Sequence, residues 1–136
     1  LLAGCTTKTN DPWGIQLETK KISTSIGLTL ACSYDEVENI ETLKTNSYYK
    51  LQRKDKSTWN DLPVKYDTYQ FEEKEYVLNG EDVEWELQWS DLYGSIAKGR
   101  YRVVKTIECI DKEGNKETKD YYVEFAVTDV CRTCLK

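Results

Sequence analysis

Five cysteines carry most of the reactive chemistry this sequence offers. The first closes the run Leu1-Leu2-Ala3-Gly4-Cys5. An apolar residue three before a cysteine, with two small residues between, fits a bacterial lipoprotein signal that is cut just before the cysteine. Cys5 is therefore the expected lipidation site, carrying a thioether-linked diacylglycerol. On this reading residues 1–4 are the remnant of a signal peptide. Residues 5–12 are the lipidated cysteine and a flexible tether, because Thr6-Thr7-Lys8-Thr9-Asn10-Asp11-Pro12 has no apolar residue and ends in proline. Acyl chains contribute about 0.8 kcal/mol per buried methylene, so two or more make a stable anchor. The expected location is extracytoplasmic, held to the membrane by lipid, and the membrane is one expected partner.

With Cys5 lipidated, four thiols remain, and four allow three pairings. Cys131-Arg132-Thr133-Cys134 has the CxxC spacing of redox and zinc sites. A zinc site wants a second pair or histidines, and the chain has no histidine. A redox CxxC opens a helix in a βαβ unit, whereas this one follows a terminal strand. A local disulfide within the tail is the expectation, with a bridge to Cys32 or Cys109 as the alternative. Disulfides suit a compartment outside the cell. Free thiols remain open for a Gram-positive surface.

Paired carboxylates could hydrolyse glycosides, and Glu84 and Glu86 lie close enough in sequence to be considered. They share the outward face of one strand, opposite a tryptophan stripe, which is the ordinary solvent side. The acidic segments 34–41 and 71–75 lack the alternating ligands and turn glycine of a calcium loop. Without histidine the commonest general base, metal ligand and pH switch are absent. No catalytic residue, metal site or cofactor is expected. A net charge of -5 argues against nucleic acid as a partner.

Aromatic residues are abundant: ten Tyr, four Trp and two Phe. Trp85, Trp89, Tyr101 and Phe125 fall on core faces. Tyr48, Tyr66, Tyr69 and Tyr122 fit those faces less well. Exposed aromatics stack on sugars or anchor protein interfaces. Tyr48, Tyr66 and Tyr69 therefore form the candidate binding surface, for a cell-wall glycan or an unknown protein. Edge-strand packing is the competing explanation.

The elements that must position these groups read as strands. The hydrophobic period is two almost throughout. Strands are predicted at 13–22, 26–33, 47–53, 59–64, 81–89, 99–110 and 119–128. Residues 34–46 read as a long polar loop, and 90–93 as one helical turn capped by Ser90 and ended by Gly94. Val83, Trp85, Leu87 and Trp89 alternate with Asp82, Glu84, Glu86 and Gln88, the mark of a half-buried antiparallel strand. Residues 13–128 make one domain, and 129–136 a cysteine-containing tail. Seven to nine short antiparallel strands with turns between them indicate an all-β sandwich.

Trp89-Ser90-Asp91-Leu92-Tyr93-Gly94, followed by Gly99-Arg100-Tyr101-Arg102-Val103-Val104-Lys105, resembles the signature of a bacterial immunoglobulin-like domain of Gram-positive surface lipoproteins. Tyr49-Lys50-Leu51-Gln52-Arg53-Lys54 with Trp59 and Pro63 is similar to that family's central hairpin, and Gly27-Leu28-Thr29-Leu30 to its second strand. The resemblance covers about residues 14–128. It implies an immunoglobulin-like β-sandwich at the cell surface and no reaction. Gly99-Arg100-Tyr101 suits the tyrosine corner of such sandwiches. Two antibody features are missing. Cys109 lies eight residues after Tyr101, not two, and the third strand has no Trp. In this topology the second and sixth strands run the same way in opposite sheets, so Cys32 and Cys109 approach one pole. A disulfide between them is expected, worth roughly 4 kcal/mol in the chain-entropy model. Two buried free thiols are the alternative. The functional expectation is a non-catalytic, lipid-anchored domain with a binding or structural role. The alternatives are a carbohydrate-binding module and an accessory or inhibitor protein contacting an envelope enzyme.

Overall fold

The computed structural model describes residues 11–23 and 25–128, and there the two-residue period becomes nine strands. They are β1 (Ile15–Ser23), β2 (Gly27–Tyr34), β3 (Ile40–Asn46), β4 (Lys50–Asp55), β5 (Thr58–Asp61), β6 (Glu75–Val77), β7 (Val83–Leu87), β8 (Gly99–Asp111) and β9 (Lys116–Val127). A 3₁₀ turn, Trp89–Asp91, links β7 to the approach of β8. One sheet has the order β1-β2-β7, with antiparallel pairing throughout. In the other, β9 runs along one side of β8 while β3 and β4 share the other side, flanked by β6 and β5.

The inward positions of both sheets meet in one core. Leu28, Leu30, Trp85 and Leu87 come from the first sheet, and Leu43, Leu51, Tyr101, Val103 and Ile107 from the second. At one end the rings stack: Phe125 lies 5.7 Å from Trp89 and 5.6 Å from Tyr101, both nearly parallel. The tyrosine corner forms as expected. The Tyr101 hydroxyl donates to the Ala97 carbonyl at 2.6 Å, tying the loop before β8 to the strand. Tyr101→Phe is expected to lower stability by about 1–2 kcal/mol, because that carbonyl loses its donor. A thermal melt with an unchanged midpoint would show that the corner contributes nothing.

Lysine 105 occupies an inward position of β8, between Val103 and Ile107, and is fully buried. Its place follows from the register beside it. Lys44 opposes Glu108 and Lys50 opposes Val104. The interval is six residues on the β3–β4 side and four on β8, so two extra residues are accommodated between β3 and β4, as in an enlarged bulge. The displaced carbonyls of Asn46 and Tyr48 turn inward and accept hydrogen bonds from Lys105 Nζ, the second at 2.9 Å.

Several expectations need correction. Residues 34–46 are not all loop, because β3 lies inside them. Its buried positions are Leu43 and Thr45 alone, too few to stand out within an acidic run. The three-residue β6 also escaped the sequence reading. Ser90 does not cap the helical turn; Gln88 occupies the cap position without a side-chain bond. Gly94 does follow the turn with a left-handed φ of 73°, the conformation glycine supplies most easily.

Cys32 and Cys109 are buried as expected, but both are free thiols, not a disulfide. They sit on β2 and β8 in opposite sheets. Packed sheets stand about 10 Å apart, whereas a disulfide spans ~4.4–6.8 Å between Cα atoms, so the sheets would have to pinch. Tyr121 lies on β9, the neighbour of β8 in the same sheet. Its ring packs on Trp13 at 6.2 Å, and its hydroxyl donates to Asp11 at 2.6 Å. Burial pushes the Cys32 thiol up to about 11, which suppresses thiolate reactivity. Cys5, Cys131 and Cys134 lie outside the described residues.

Candidate functional site

The interruption between β3 and β4 also builds the site. The extra residues turn Tyr48 outward, 48% exposed, and Tyr49 inward, 3% exposed. Phe71 joins them from the long segment before β6. Its ring meets Tyr48 at 5.1 Å, Tyr49 at 5.5 Å and Tyr69 at 5.0 Å, all edge-on, the geometry favoured by the aromatic quadrupole. Two of the three candidate tyrosines are therefore brought together through a phenylalanine that the sequence reading did not single out.

Tyr66 is not part of this cluster. It is 44% exposed. Its backbone N–H donates to the Leu92 carbonyl at 3.1 Å, and Lys65 Nζ lies 5.4 Å from its ring. It connects to Tyr69 only through a turn, in which Tyr69 N–H donates to the Tyr66 carbonyl at 3.3 Å.

Two concavities meet at the cluster. Outside lies an open groove of about 570 Å³, lined by Asn46, Tyr48, Phe71 and Lys74 among others. Inside, at the edge of β7, lies a smaller cavity of about 250 Å³ walled by Tyr49, Tyr69, Phe71, Tyr76 and Trp85. Ser47, Phe71 and Glu72 line both. Lys105 Nζ lies 4.8 Å from the Trp85 ring centre. Burial pushes its ammonium down to about 8, and burial raises the Tyr49 hydroxyl above its ordinary range. Perturbed groups in a cleft can mark catalysis. Here Lys105 already donates to two carbonyls, an arrangement that holds the backbone. Glu84 and Glu86 face outward, as expected. Glu84 pairs with Lys20 at 3.4 Å, and Glu86 accepts from the Thr29 hydroxyl at 3.2 Å. Among the described residues, no group of three or more Cys, Asp and Glu side chains is placed to hold a metal ion.

A second surface was missed altogether. On the outer face of the larger sheet, the Arg102 guanidinium lies 4.5 Å from the Trp59 ring centre and 4.0 Å from that of Tyr122. Its Nε donates to Gln52 at 2.6 Å. Ion pairs flank the stack, Lys50–Asp61 at 3.2 Å and Arg100–Glu124 at 3.4 Å. Tyr122, half exposed, was already a poor fit to the core in sequence. Trp59 and Arg102 gave no signal, because their meeting depends on the lateral order of β5, β4, β8 and β9.

Two antiparallel sheets packed face to face, closed by a tyrosine corner, define an immunoglobulin-like β-sandwich. A family model described as a bacterial Ig-like domain matches residues 11–126, and the chain belongs to that family. Ig-like domains of this kind are typically non-catalytic and extracellular. No curated protein and no solved structure matches the chain.

Proposed function

We propose that this is a non-catalytic binding domain, anchored outside the cell by lipid on Cys5, whose ligand is a carbohydrate polymer of the cell surface. The observation that supports the reading is the aromatic cluster on Phe71. It presents half-exposed Tyr48 over an open groove, a wall on which the C–H face of a sugar can stack while hydroxyls meet the polar rim. Among the described residues no helix is long and apolar enough to cross a membrane; on this reading the lipid supplies the attachment.

The test is retention of the chain on purified peptidoglycan and on a panel of immobilised glycans. Saturable retention, competed by free sugar and weakened about tenfold or more by Tyr48→Ala, is the expected result. Mass spectrometry of the N-terminal peptide from native cells reads the anchor directly, and an unmodified Cys5 would remove it from the proposal. No retention on any glycan sinks the carbohydrate reading.

A protein partner is the second reading, as an accessory or inhibitor contacting an envelope enzyme. The Trp59–Arg102–Tyr122 stack favours it. Trp, Tyr and Arg are the residue types that dominate interface hot spots, and this trio is held in place before binding. Crosslinking on intact cells that captures one envelope protein, and loses it with Arg102→Ala, would select this reading.

A further inference from the structure

Arg102 stands directly opposite Glu124 of β9 in register, the place of a cross-strand ion pair. That pair is not made. Glu124 goes to Arg100, at 3.4 Å, and the Arg102 guanidinium lies over two rings, 4.5 Å from the centre of Trp59 and 4.0 Å from that of Tyr122. β5 lies on the β4 side of β8 and β9 on the other, so the rings reach it from opposite sides. Nε donates to Gln52 at 2.6 Å, its one side-chain hydrogen bond among the described residues. An arginine has five N–H donors, which leaves the terminal nitrogens without an acceptor there. No carboxylate among the described residues is within ion-pair distance of Arg102. Val104, two residues on along the same outward face, is nevertheless 4% exposed. Its cross-strand neighbours are Tyr122 and Lys50, so side chains of this layer cover it. The stack is packed on the sheet, and its guanidinium is fixed before anything binds.

Resting on the protein-partner reading above, we propose that Arg102 is the binding point for a carboxylate on an acidic segment of that partner. A guanidinium stacked on its faces still donates in its own plane, and its two terminal nitrogens match the two oxygens of a carboxylate. Rings that exclude water from the faces strengthen such an in-plane bond. Charge points the same way. Asp61 is taken by Lys50 at 3.2 Å and by Gln52 at 2.8 Å, and Glu124 by Arg100. Asp120, the next outward carboxylate of β9, accepts from the Thr106 hydroxyl at 2.6 Å. Lys54 Nζ lies 5.8 Å from the Trp59 ring centre and has no ion-pair partner among the described residues. A chain of net charge -5 thus presents two unanswered cations against one tryptophan. A neutral sugar is disfavoured here, because each ring already gives a face to the guanidinium. A Trp, Tyr and Arg centre inside a rim of ion pairs is the layout of a protein-binding hot spot.

The experiment follows the Arg102 Nε–H and Trp59 indole N–H signals of the ¹⁵N-labelled chain, assigned with Arg102→Lys and Trp59→Phe. The probe is a short oligoglutamate peptide blocked at both ends, with oligoglutamine of the same length beside it. Both signals are expected to move saturably with oligoglutamate and to stay still with blocked oligoglutamine, and added salt should weaken the response. The negative net charge of the chain repels the probe, so a saturable shift reports the site. Arg102→Lys keeps the charge and loses the planar fork. It should weaken the Trp59 response about tenfold. Lys54→Gln leaves the stack intact and should weaken it about threefold. Equal responses to the two blocked peptides, or no response to any carboxylate-bearing peptide, overturn the proposal. So does an Arg102→Lys chain that binds as tightly as wild type. Oligoglutamine that acts only with a free C-terminus keeps the carboxylate and assigns it to a chain end. A response to oligogalacturonate and not to peptide overturns the peptide occupant in favour of an anionic wall polymer. An envelope protein captured by wild type and lost in Arg102→Ala, with no carboxylate response, sinks this proposal and leaves the protein reading standing. A peptide shift without any captured protein keeps the carboxylate site and removes the envelope-enzyme partner.

Discussion

Replacing Lys105 with alanine is expected to destabilise the domain by about 3 kcal/mol, and replacing it with methionine by less than about 1 kcal/mol. Two effects are shared by both substitutions and a third belongs to alanine alone. Both substitutions leave the carbonyls of Asn46 and Tyr48 without their donor, at about 1–3 kcal/mol each. Both also relieve the cost of a buried charge. Burial moves the ammonium from 10.5 to about 8, and at 1.36 kcal/mol per unit this relief is about 3 kcal/mol. For methionine these effects nearly cancel. Alanine in addition empties the space filled by the aliphatic stem, at about 2–5 kcal/mol for a large-to-Ala change in a core. Urea denaturation at neutral pH measures both. An alanine variant as stable as wild type would mean that Lys105 does not support the interruption between β3 and β4.

The same lysine makes stability depend on pH in a defined direction. Between about 8 and 10.5 the unfolded chain holds the proton and the folded chain does not. Stability therefore rises with pH through about 8 and is lost again as pH falls through it. Relative to Lys105→Met, wild type should gain about 1 kcal/mol from pH 7 to pH 9. Measuring the difference matters, because the Cys32 thiol, raised from 9.0 to about 11, acts in the opposite sense. A flat difference would place the ammonium at its ordinary value and contradict its burial without a carboxylate partner.

Phe125→Ala should have the largest effect of all. The ring is 7% exposed and stacks on both Trp89 and Tyr101. Truncating a buried Phe costs about 3–5 kcal/mol, and each lost ring pair adds about 0.5–1.5 kcal/mol. Against a total stability of about 5–15 kcal/mol, the variant should melt roughly 15 °C or more below wild type. Phe125→Leu keeps most of the volume and should cost only about 1.5 kcal/mol. Equal melting temperatures for the alanine variant and wild type would show that the stacked end is not part of the cooperative core.

Alternation made much of this fold legible, because a period of two is a local property. Trp85 and Leu87 on β7, Tyr101, Val103 and Ile107 on β8, and Phe125 on β9 were all placed inward correctly. The same logic passed over Lys105. An inward position is recognised by an apolar side chain, and a lysine hides it. β3 was lost for a related reason: Leu43 and Thr45 are too short a pattern to outweigh the charges around them. The inward faces of Cys32 and Cys109 were legible, whereas their free state was not, since it depends on the separation of the two sheets that carry them.

The candidate site divides in the same way. That Tyr48, Tyr69 and Tyr122 sit awkwardly in a core could be read from sequence. That Phe71 gathers Tyr48, Tyr49 and Tyr69, and that Ser47, Tyr49 and Trp85 share a cavity, could not. Those meetings depend on two extra residues between β3 and β4, which rotate neighbouring side chains to opposite faces. Arg102 reaches Trp59 and Tyr122 from three different strands, and lateral strand order is not written in any one of them. Sequence alone determined which residues alternate, and hence the all-β class and most of the core, because burial of one strand face is enforced residue by residue. Tertiary structure decided which strands are neighbours and where their register slips, and with that the buried lysine, the free thiols and both surfaces that could hold a ligand.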